Sequence, residues 1–132
     1  MRRRSMSERA VYVYVAGPLS DMPAQYLANV SNMCRASREL MEAGYVTINP
    51  AADLLDGIMS DRPLTIQQYQ ERSMWLLRLL APPVHGALYV VNSMHADGRT
   101  SGGVRAEIRE AERLRIPEFY SGGPLKRWRA GL

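Results

Sequence analysis

The residues best suited to chemistry in this chain of 132 residues surround one glycine-rich loop and the helix that follows it. The loop, residues 93–103, ends in Thr100-Ser101-Gly102-Gly103, and Glu107 lies one turn into the next helix. Free backbone N–H groups and the helix dipole make such a helix start suited to binding an anion. Ser101 can cap the helix and can also contact a phosphate, and the two roles are compatible.

Glu107 has two interpretations that the sequence leaves open. It lies three residues after Val104 and one before Ile108, beside the apolar stripe of its helix. A carboxylate there is either a solvated helix acid favoured by the dipole or a group that faces a ligand. Tyr14, near the end of the first strand, raises the same question, because its hydroxyl either points into the same crevice or packs in the core.

The elements that must position these residues alternate between strands and helices. We expect strands over 10–16, 45–49, 86–92 and 116–120, and helices over 23–44, 65–80 and 104–114. The segment 50–65 is expected to be irregular, with one short helix at most. This alternation predicts an α/β fold with a central parallel sheet covered on both faces. Ligands of such sheets bind at the carboxyl ends of the strands, which selects the loops after the first three strands.

Composition and charge indicate a single globular domain. Hydrophobic residues make up 46% of the chain and charged residues 23%, a balance that argues against disorder. We expect a domain over 10–120, a basic flexible tail over 1–9, and a Gly-Gly-Pro linker with a basic tail over 121–132. The net charge is +4, but seven of the 17 cationic residues and one of the 13 acidic residues lie in these tails, so residues 10–120 hold 10 cationic and 12 acidic residues.

Several classes of site are excluded or not indicated. The single cysteine, Cys34, allows neither an intrachain disulfide nor a zinc site built from cysteines. His85 and His95 have no partners at ligand spacing, so we expect no metal. No glycine fingerprint follows the first strand and no Walker A loop is present, so NAD and ATP are not indicated and no cofactor is expected. No apolar run approaches the ~20 residues of a membrane span, and we expect a cytoplasmic protein.

Three short motifs resemble the nucleoside 2-deoxyribosyltransferase-like superfamily. They are Tyr14-Val15-Ala16-Gly17-Pro18, Asn49-Pro50-Ala51, and Ser101-Gly-Gly-Val-Arg-Ala-Glu107-Ile-x-x-Ala111. The superfamily includes nucleoside 2-deoxyribosyltransferases and 2'-deoxynucleoside 5'-monophosphate N-hydrolases, and small related proteins of phages and bacteria look most similar. The resemblance spans about residues 10–120.

The resemblance implies a flavodoxin-like or Rossmann-like three-layer sandwich and cleavage of an N-glycosidic bond. It implies that Glu107 attacks C1' of the sugar, that Tyr14 hydrogen-bonds this nucleophile, and that Ser101 holds a 5'-phosphate. It also implies a homodimer or larger homo-oligomer, since family members assemble in that way. The remaining expected substrate-binding residues are Gly17, Pro18, Ser20, Asn49, Asp97, Gly102 and Gly103.

The chain departs from the family at the acid that protonates the leaving base. The family has an aspartate on the preceding helix, whereas residues 69–77 contain none, and Glu71 is the only nearby acid. Glu71 is therefore our candidate for this role, with Asp97 as another. Without such an acid, the protein either acts slowly or binds a nucleotide without cleaving it.

The sequence thus predicts an N-glycosidase or 2-deoxyribosyltransferase of nucleotide metabolism that acts on a nucleoside 5'-monophosphate. The alternative is a non-catalytic nucleotide-binding module on the same fold. A phosphoribohydrolase of the cytokinin-activating type ranks lower, because its longer Pro-Gly-Gly-x-Gly-Thr signature is missing. Nucleic-acid binding through the basic tails, with Trp128 as a stacking residue, ranks last.

Overall fold

The structure, a computed structural model, describes residues 10–19, 23–92 and 98–132. Its elements are β1 (Tyr12–Ala16), α1 (Pro23–Glu42), β2 (Val46–Ile48), a 3-10 turn (Pro50–Ala52), α2 (Asp53–Met59), α3 (Ile66–Arg78), β3 (Gly86–Val90), α4 (Gly102–Leu114), β4 (Glu118–Phe119) and α5 (Gly122–Ala130). The expected tail over 1–9 and the expected site residues Ser20 and Asp97 lie outside the described residues.

The four strands form one sheet in the order β2-β1-β3-β4, and every pair is parallel. Tyr14 in the central strand β1 is in register with Ile48 on one side and Leu88 on the other. Helices cover both faces of the sheet. The fold is therefore α/β, a flavodoxin-like three-layer sandwich, and the expected fold class is confirmed.

Alternation along β1 divides the core into two layers. Val13 and Val15 point to the face covered by α1 and α5, where Met33, Leu40 and Leu125 are buried. Tyr14 and Ala16 point to the opposite face, where they pack with Leu77 of α3 and with Val104 and Ala111 of α4. Because the side chains of a strand alternate between faces, this division follows from the order of residues 13–16.

The strand order reverses at β1, and this reversal defines a crevice. The chain passes from β1 to β2 through α1 on one face, and it reaches β3 after α3 on the other face. The connections therefore leave in opposite directions at the carboxyl ends of β1 and β3. Ligands of open parallel sheets bind at such a point.

Helix α4 is fixed at both ends and along its side. Ser101 Oγ accepts a hydrogen bond from Val104 N at 3.3 Å, which caps the first turn. At the other end Arg115 adopts a left-handed φ of 59°, and Ile116 N donates to Ala111 O at 2.8 Å. An ion pair of 3.5 Å between Arg78 and Glu110 joins α3 to α4. These contacts hold Glu107 in place against the sheet.

The C-terminal segment differs from the linker and tail expected over 121–132. It forms α5, whose Leu125 is fully buried and whose Trp128 ring lies 5.6 Å from that of Phe119. Arg129 stacks over the Tyr45 ring at 4.3 Å. The Gly-Gly-Pro sequence suggests a linker, but a proline is tolerated in a first helical turn, where its missing N–H is not needed.

No helix in the described parts of the chain combines the length and apolar character that crossing a membrane requires.

Candidate functional site

Glu107 and Tyr14 meet in the interior at the reversal of the strand order. Tyr14 is fully buried in β1, and Glu107 comes from the side of α4 that carries the buried Val104 and Ala111. The Tyr14 hydroxyl and Glu107 Oε2 are both buried, and neither has a hydrogen-bond partner in the described part of the chain. Because buried polar atoms are nearly always paired, this unpaired couple is a candidate for contact with a ligand.

The surroundings shift the protonation of both groups. Burial raises the pKa of Glu107 to about 7, and the facing phenol partly offsets this effect. Burial, and then the charge of Glu107, raise the pKa of Tyr14 well above its usual value, while the Ser73 hydroxyl acts in the opposite direction. The two groups therefore influence each other electrostatically, although their geometry falls short of a formed hydrogen bond. Perturbed carboxyls in a crevice are typical of functional sites.

The start of α4 offers an open position for an anion. Ser101 is buried and caps the helix through its oxygen, and a serine hydroxyl that accepts one hydrogen bond still carries a proton that it can donate. Among the described residues, a Cβ added at Gly102 would meet no heavy atom within 4 Å, and the nearest atom to one at Gly103 would be Ser101 Oγ at 3.9 Å. The first turn carries no acidic residue. The expected roles of Ser101, Gly102 and Gly103 fit this geometry.

Gly17 and Pro18 are buried at the carboxyl end of β1. A Cβ added at Gly17 would lie 3.0 Å from both Cγ and Sδ of Met33 on α1. Packing of α1 on the sheet therefore accounts for this glycine without a ligand. The substrate-binding roles of Gly17 and Pro18 stay predictions.

Asn49 follows β2 but has local partners. Its Oδ1 accepts a hydrogen bond from Ala51 N at 3.1 Å, and its Nδ2 donates to Cys34 Sγ at 3.5 Å. Cys34 lies on α1, which covers the face opposite to Glu107. The structure thus assigns Asn49 a capping role and does not bring it to Glu107.

Glu71, the expected second acid, lies outside the buried couple. It is exposed, and its Oε1 accepts a hydrogen bond from Gln67 Nε2 at 3.3 Å. Ser73 is the residue of α3 that faces the Tyr14 hydroxyl. Two residues along a helix differ by about 200° in direction, so Glu71 and Ser73 point to opposite sides.

Asp53, at the start of α2, is a carboxylate of the crevice that the sequence did not single out. Its side chain is only 19% exposed, and its Oδ1 lies 3.0 Å from an Arg72 guanidinium nitrogen. Burial raises the pKa of Asp53, Arg72 lowers it, Asp56 raises it, and the net shift is upward. The charge of Asp53 also acts on Tyr14. Its position after β2 was the only available signal.

Asn29 is a second residue that the sequence did not single out. It is buried on α1, and its Oδ1 accepts a hydrogen bond from Gln25 Nε2 at 3.0 Å, but its Nδ2 has no partner among the described residues. The neighbouring cavity has a volume of about 20 Å³ and is lined in part by Gly17 and Pro18. This space suits one water molecule.

Within the described ranges, no group of three His, Cys, Asp or Glu side chains is placed to hold a metal ion. Comparisons with protein-family models, with curated proteins and with solved structures find no significant match. The function is therefore argued from the site.

Proposed function

We propose that this protein is an N-glycosidase that acts on a (deoxy)nucleoside 5'-monophosphate and cleaves or exchanges the base at C1'. The observation that carries the proposal is the buried, unpaired carboxyl of Glu107 facing Tyr14 at the reversal of the strand order. The buried Oε2 of this carboxyl has lost its hydration and has no hydrogen-bond partner among the described residues. A ligand with a developing positive charge would compensate it.

The chemistry places these two residues in complementary roles. Departure of a base leaves C1' with oxocarbenium character, and a carboxylate beneath it stabilises that charge or forms a covalent glycosyl-enzyme. Glu107 is that carboxylate. The high pKa of Tyr14 keeps its phenol protonated, so it is ready to donate to the carboxylate and to orient it when a substrate binds. Attack by water then gives hydrolysis, and attack by a second base gives transfer.

The start of α4 accounts for preference for a 5'-phosphate. Ser101 and Glu107 are six residues apart on α4 and its cap, which corresponds to a rise of about 9 Å along the helix. A phosphate at Ser101, Gly102 and Gly103 would leave room for a ribose before the carboxyl. The exposed Arg105 adds positive charge at the same end.

The test incubates the protein with a panel of nucleosides and nucleoside 5'-monophosphates and measures the released free base by chromatography. We expect base release from a 5'-monophosphate, and a loss of about 10³-fold or more for Glu107→Gln. The exposed Glu71→Gln is the matched control and should retain the wild-type rate. Absence of both base release and base exchange across the panel would count against the proposal.

A non-catalytic nucleotide-binding module is the second candidate, and the exposed position of Glu71 favours it, because the expected acid is missing from the couple. It predicts that a 5'-monophosphate raises the melting temperature while no base is released. Release of base by the wild-type protein, lost in Glu107→Gln, would eliminate this candidate.

We also infer that the protein acts in the cytoplasm as a homodimer or larger homo-oligomer. Exposed apolar side chains on α2, in the segment that follows it and at the start of α3 support self-association; they are Leu55, Ile58, Met59, Leu64 and Ile66. We infer that they form an apolar patch, and patches of this kind mark interaction sites in proteins.

A further inference from the structure

The proposed reaction needs an acid that Glu71 does not supply from its exposed position. The base leaves as a stable neutral molecule only if one of its nitrogens takes up a proton. Glu107 cannot both attack C1' and deliver that proton in the same step. A second proton donor must therefore face the crevice from another element.

Asp53 is a partly buried carboxyl whose charge acts on Tyr14. Ile48, in register with Tyr14, is followed by the 3-10 turn and then directly by Asp53. On the other side, Asp53 binds Arg72 at 3.0 Å, and Arg72 immediately precedes Ser73, which faces the Tyr14 hydroxyl. Asp53 is thus tied to the neighbours of Tyr14 through both β2 and α3.

Asp53 also differs from the other acids of α2 and α3 in its surroundings. Its side chain is 19% exposed, which lets it exchange protons with water while facing the protein. Asp56 is exposed and already accepts a hydrogen bond from the Tyr69 hydroxyl at 2.6 Å. Glu71 is exposed and directed toward Gln67.

We propose that Asp53 is the catalytic acid that protonates the leaving base, with Arg72 as the counter-ion of the carboxylate that results. This inference rests on the proposed function and names the residue that completes it. It replaces Glu71 in that role.

In the proposed step, the proton of the Asp53 carboxyl moves to a nitrogen of the base, the C1'–N bond breaks with its electron pair going to the base, and the Glu107 carboxylate forms a bond to C1'. Asp53 is left as a carboxylate held by Arg72. It then takes a proton from the water that attacks C1', which releases the sugar phosphate and restores both carboxyl groups.

Charged neighbours set the ionisation of Asp53. Arg72 favours the carboxylate, whereas burial and the charge of Asp56 favour the acid, so its pKa is raised overall. Tyr14 and Tyr26 also sense its charge. An acid in this environment holds its proton to higher pH than an exposed aspartate, as proton delivery requires.

The test compares two leaving groups on the same sugar 5-phosphate. One is the natural base, which must be protonated, and the other is 4-nitrophenol, which leaves as the anion. We expect Asp53→Asn to lose about 10²- to 10⁴-fold in kcat with the natural base but to stay within about tenfold of wild type with 4-nitrophenol. Asp53→Glu, which keeps an acid, should recover part of the rate, and Glu71→Gln should match wild type with both substrates.

An equal loss of kcat with both leaving groups in Asp53→Asn, or no loss with either, overturns the role of Asp53 while leaving Glu107 as the nucleophile. Failure of the wild-type protein to cleave either substrate removes the proposed function, and this inference with it. A thermal melt of each variant establishes that the comparison is made on folded protein.

Discussion

Two carboxyl groups of the crevice lie in opposite surroundings. The Glu107 carboxyl has a buried oxygen beside the Tyr14 phenol, and burial raises its pKa to about 7 although the phenol lowers it. Asp53 lies at the edge of the crevice against Arg72. Pairs of acids whose environments differ in this way commonly divide the work of a reaction between them.

The pKa of Glu107 predicts a dependence of stability on pH. The folded protein holds this proton more tightly than the unfolded chain, so the free energy of unfolding falls as pH rises from 4.5 to about 7. The full shift corresponds to about 3 kcal/mol. Glu107→Gln should therefore match wild type in stability near pH 4 and exceed it by roughly this amount at pH 8, measured by urea unfolding.

Glu71→Gln is the control for this measurement, because an exposed acid should leave the pH dependence unchanged. A Glu107→Gln variant whose unfolding free energy follows that of wild type at every pH would show that the carboxyl is solvated. That result would remove the basis of the proposed site.

Strand and helix periodicity correctly predicted the faces on which Tyr14 and Glu107 lie. Alternation places Tyr14 opposite to Val13, and helical spacing places Glu107 beside Val104, as the structure shows. Asp53 was not predicted, because its position depends on the path of the irregular segment 50–65, which has no periodicity. The expectation for Glu71 came from proximity in sequence, which does not determine the side of a helix on which a residue lies.

Helix α4 is the element in which one residue both stabilises the fold and belongs to the proposed phosphate site. Its cap, Ser101, stabilises the first turn, and the same hydroxyl is available to a phosphate. Substitutions of Ser101 can distinguish its role as a helix cap from its proposed role as a phosphate contact. Aspartate caps a helix as well as serine does, but its charge repels a phosphate.

We therefore expect Ser101→Ala to lose about 1 kcal/mol of unfolding free energy and Ser101→Asp to lose much less. Both variants should raise KM for a 5'-monophosphate, and the aspartate variant should raise it more. For the matching nucleoside, which lacks the phosphate, both variants should change KM much less than they do for the 5'-monophosphate. Equal KM changes for the nucleoside and the monophosphate would place the phosphate elsewhere.

The C-terminal helix α5 was not predicted from the sequence. Its apolar residues Leu125 and Trp128 are separated by basic residues, and the helix follows a Gly-Gly-Pro sequence typical of linkers. Tertiary packing stabilises this helix, because Leu125 is buried in the core that α1 and the sheet form.

Leu125→Ala should cost about 2 to 5 kcal/mol, as expected for a large buried aliphatic side chain in a core. The neighbouring, exposed Lys126→Ala should change stability by no more than about 0.5 kcal/mol. Chemical denaturation of both variants measures the difference. Equal stability of the two would indicate that α5 does not pack on the sheet.

At the scale of the whole molecule, the sheet and its two helical layers were predicted from the alternation of strands and helices. The order β2-β1-β3-β4 places the reversal of strand order, and with it the proposed ligand site, at the carboxyl ends of β1 and β3. Sequence did not predict the apolar patch on α2 and α3, because apolar residues in a helix are expected to face the core. Here Ile58 and Met59 are exposed instead.

We expect the protein to be a dimer or larger assembly by size-exclusion chromatography with light scattering, rather than a particle of 14.9 kDa. The substitution Ile58→Arg should shift the population toward the monomer, because a charge in an apolar interface loses its hydration. Arg38→Ala, at an exposed position on α1, is the control. A wild-type monomer at all concentrations would contradict the expectation.

The central claim is that Glu107 attacks the anomeric carbon of a nucleotide, and covalent trapping tests it most directly. A 2'-fluoroarabino nucleoside 5'-monophosphate slows hydrolysis of a glycosyl-enzyme, so the intermediate can be followed by mass spectrometry. We predict that the protein gains the mass of the fluorinated sugar phosphate on Glu107 and that Glu107→Gln gains none. Base release at the wild-type rate by Glu107→Gln, or an adduct on another carboxylate, would contradict the account.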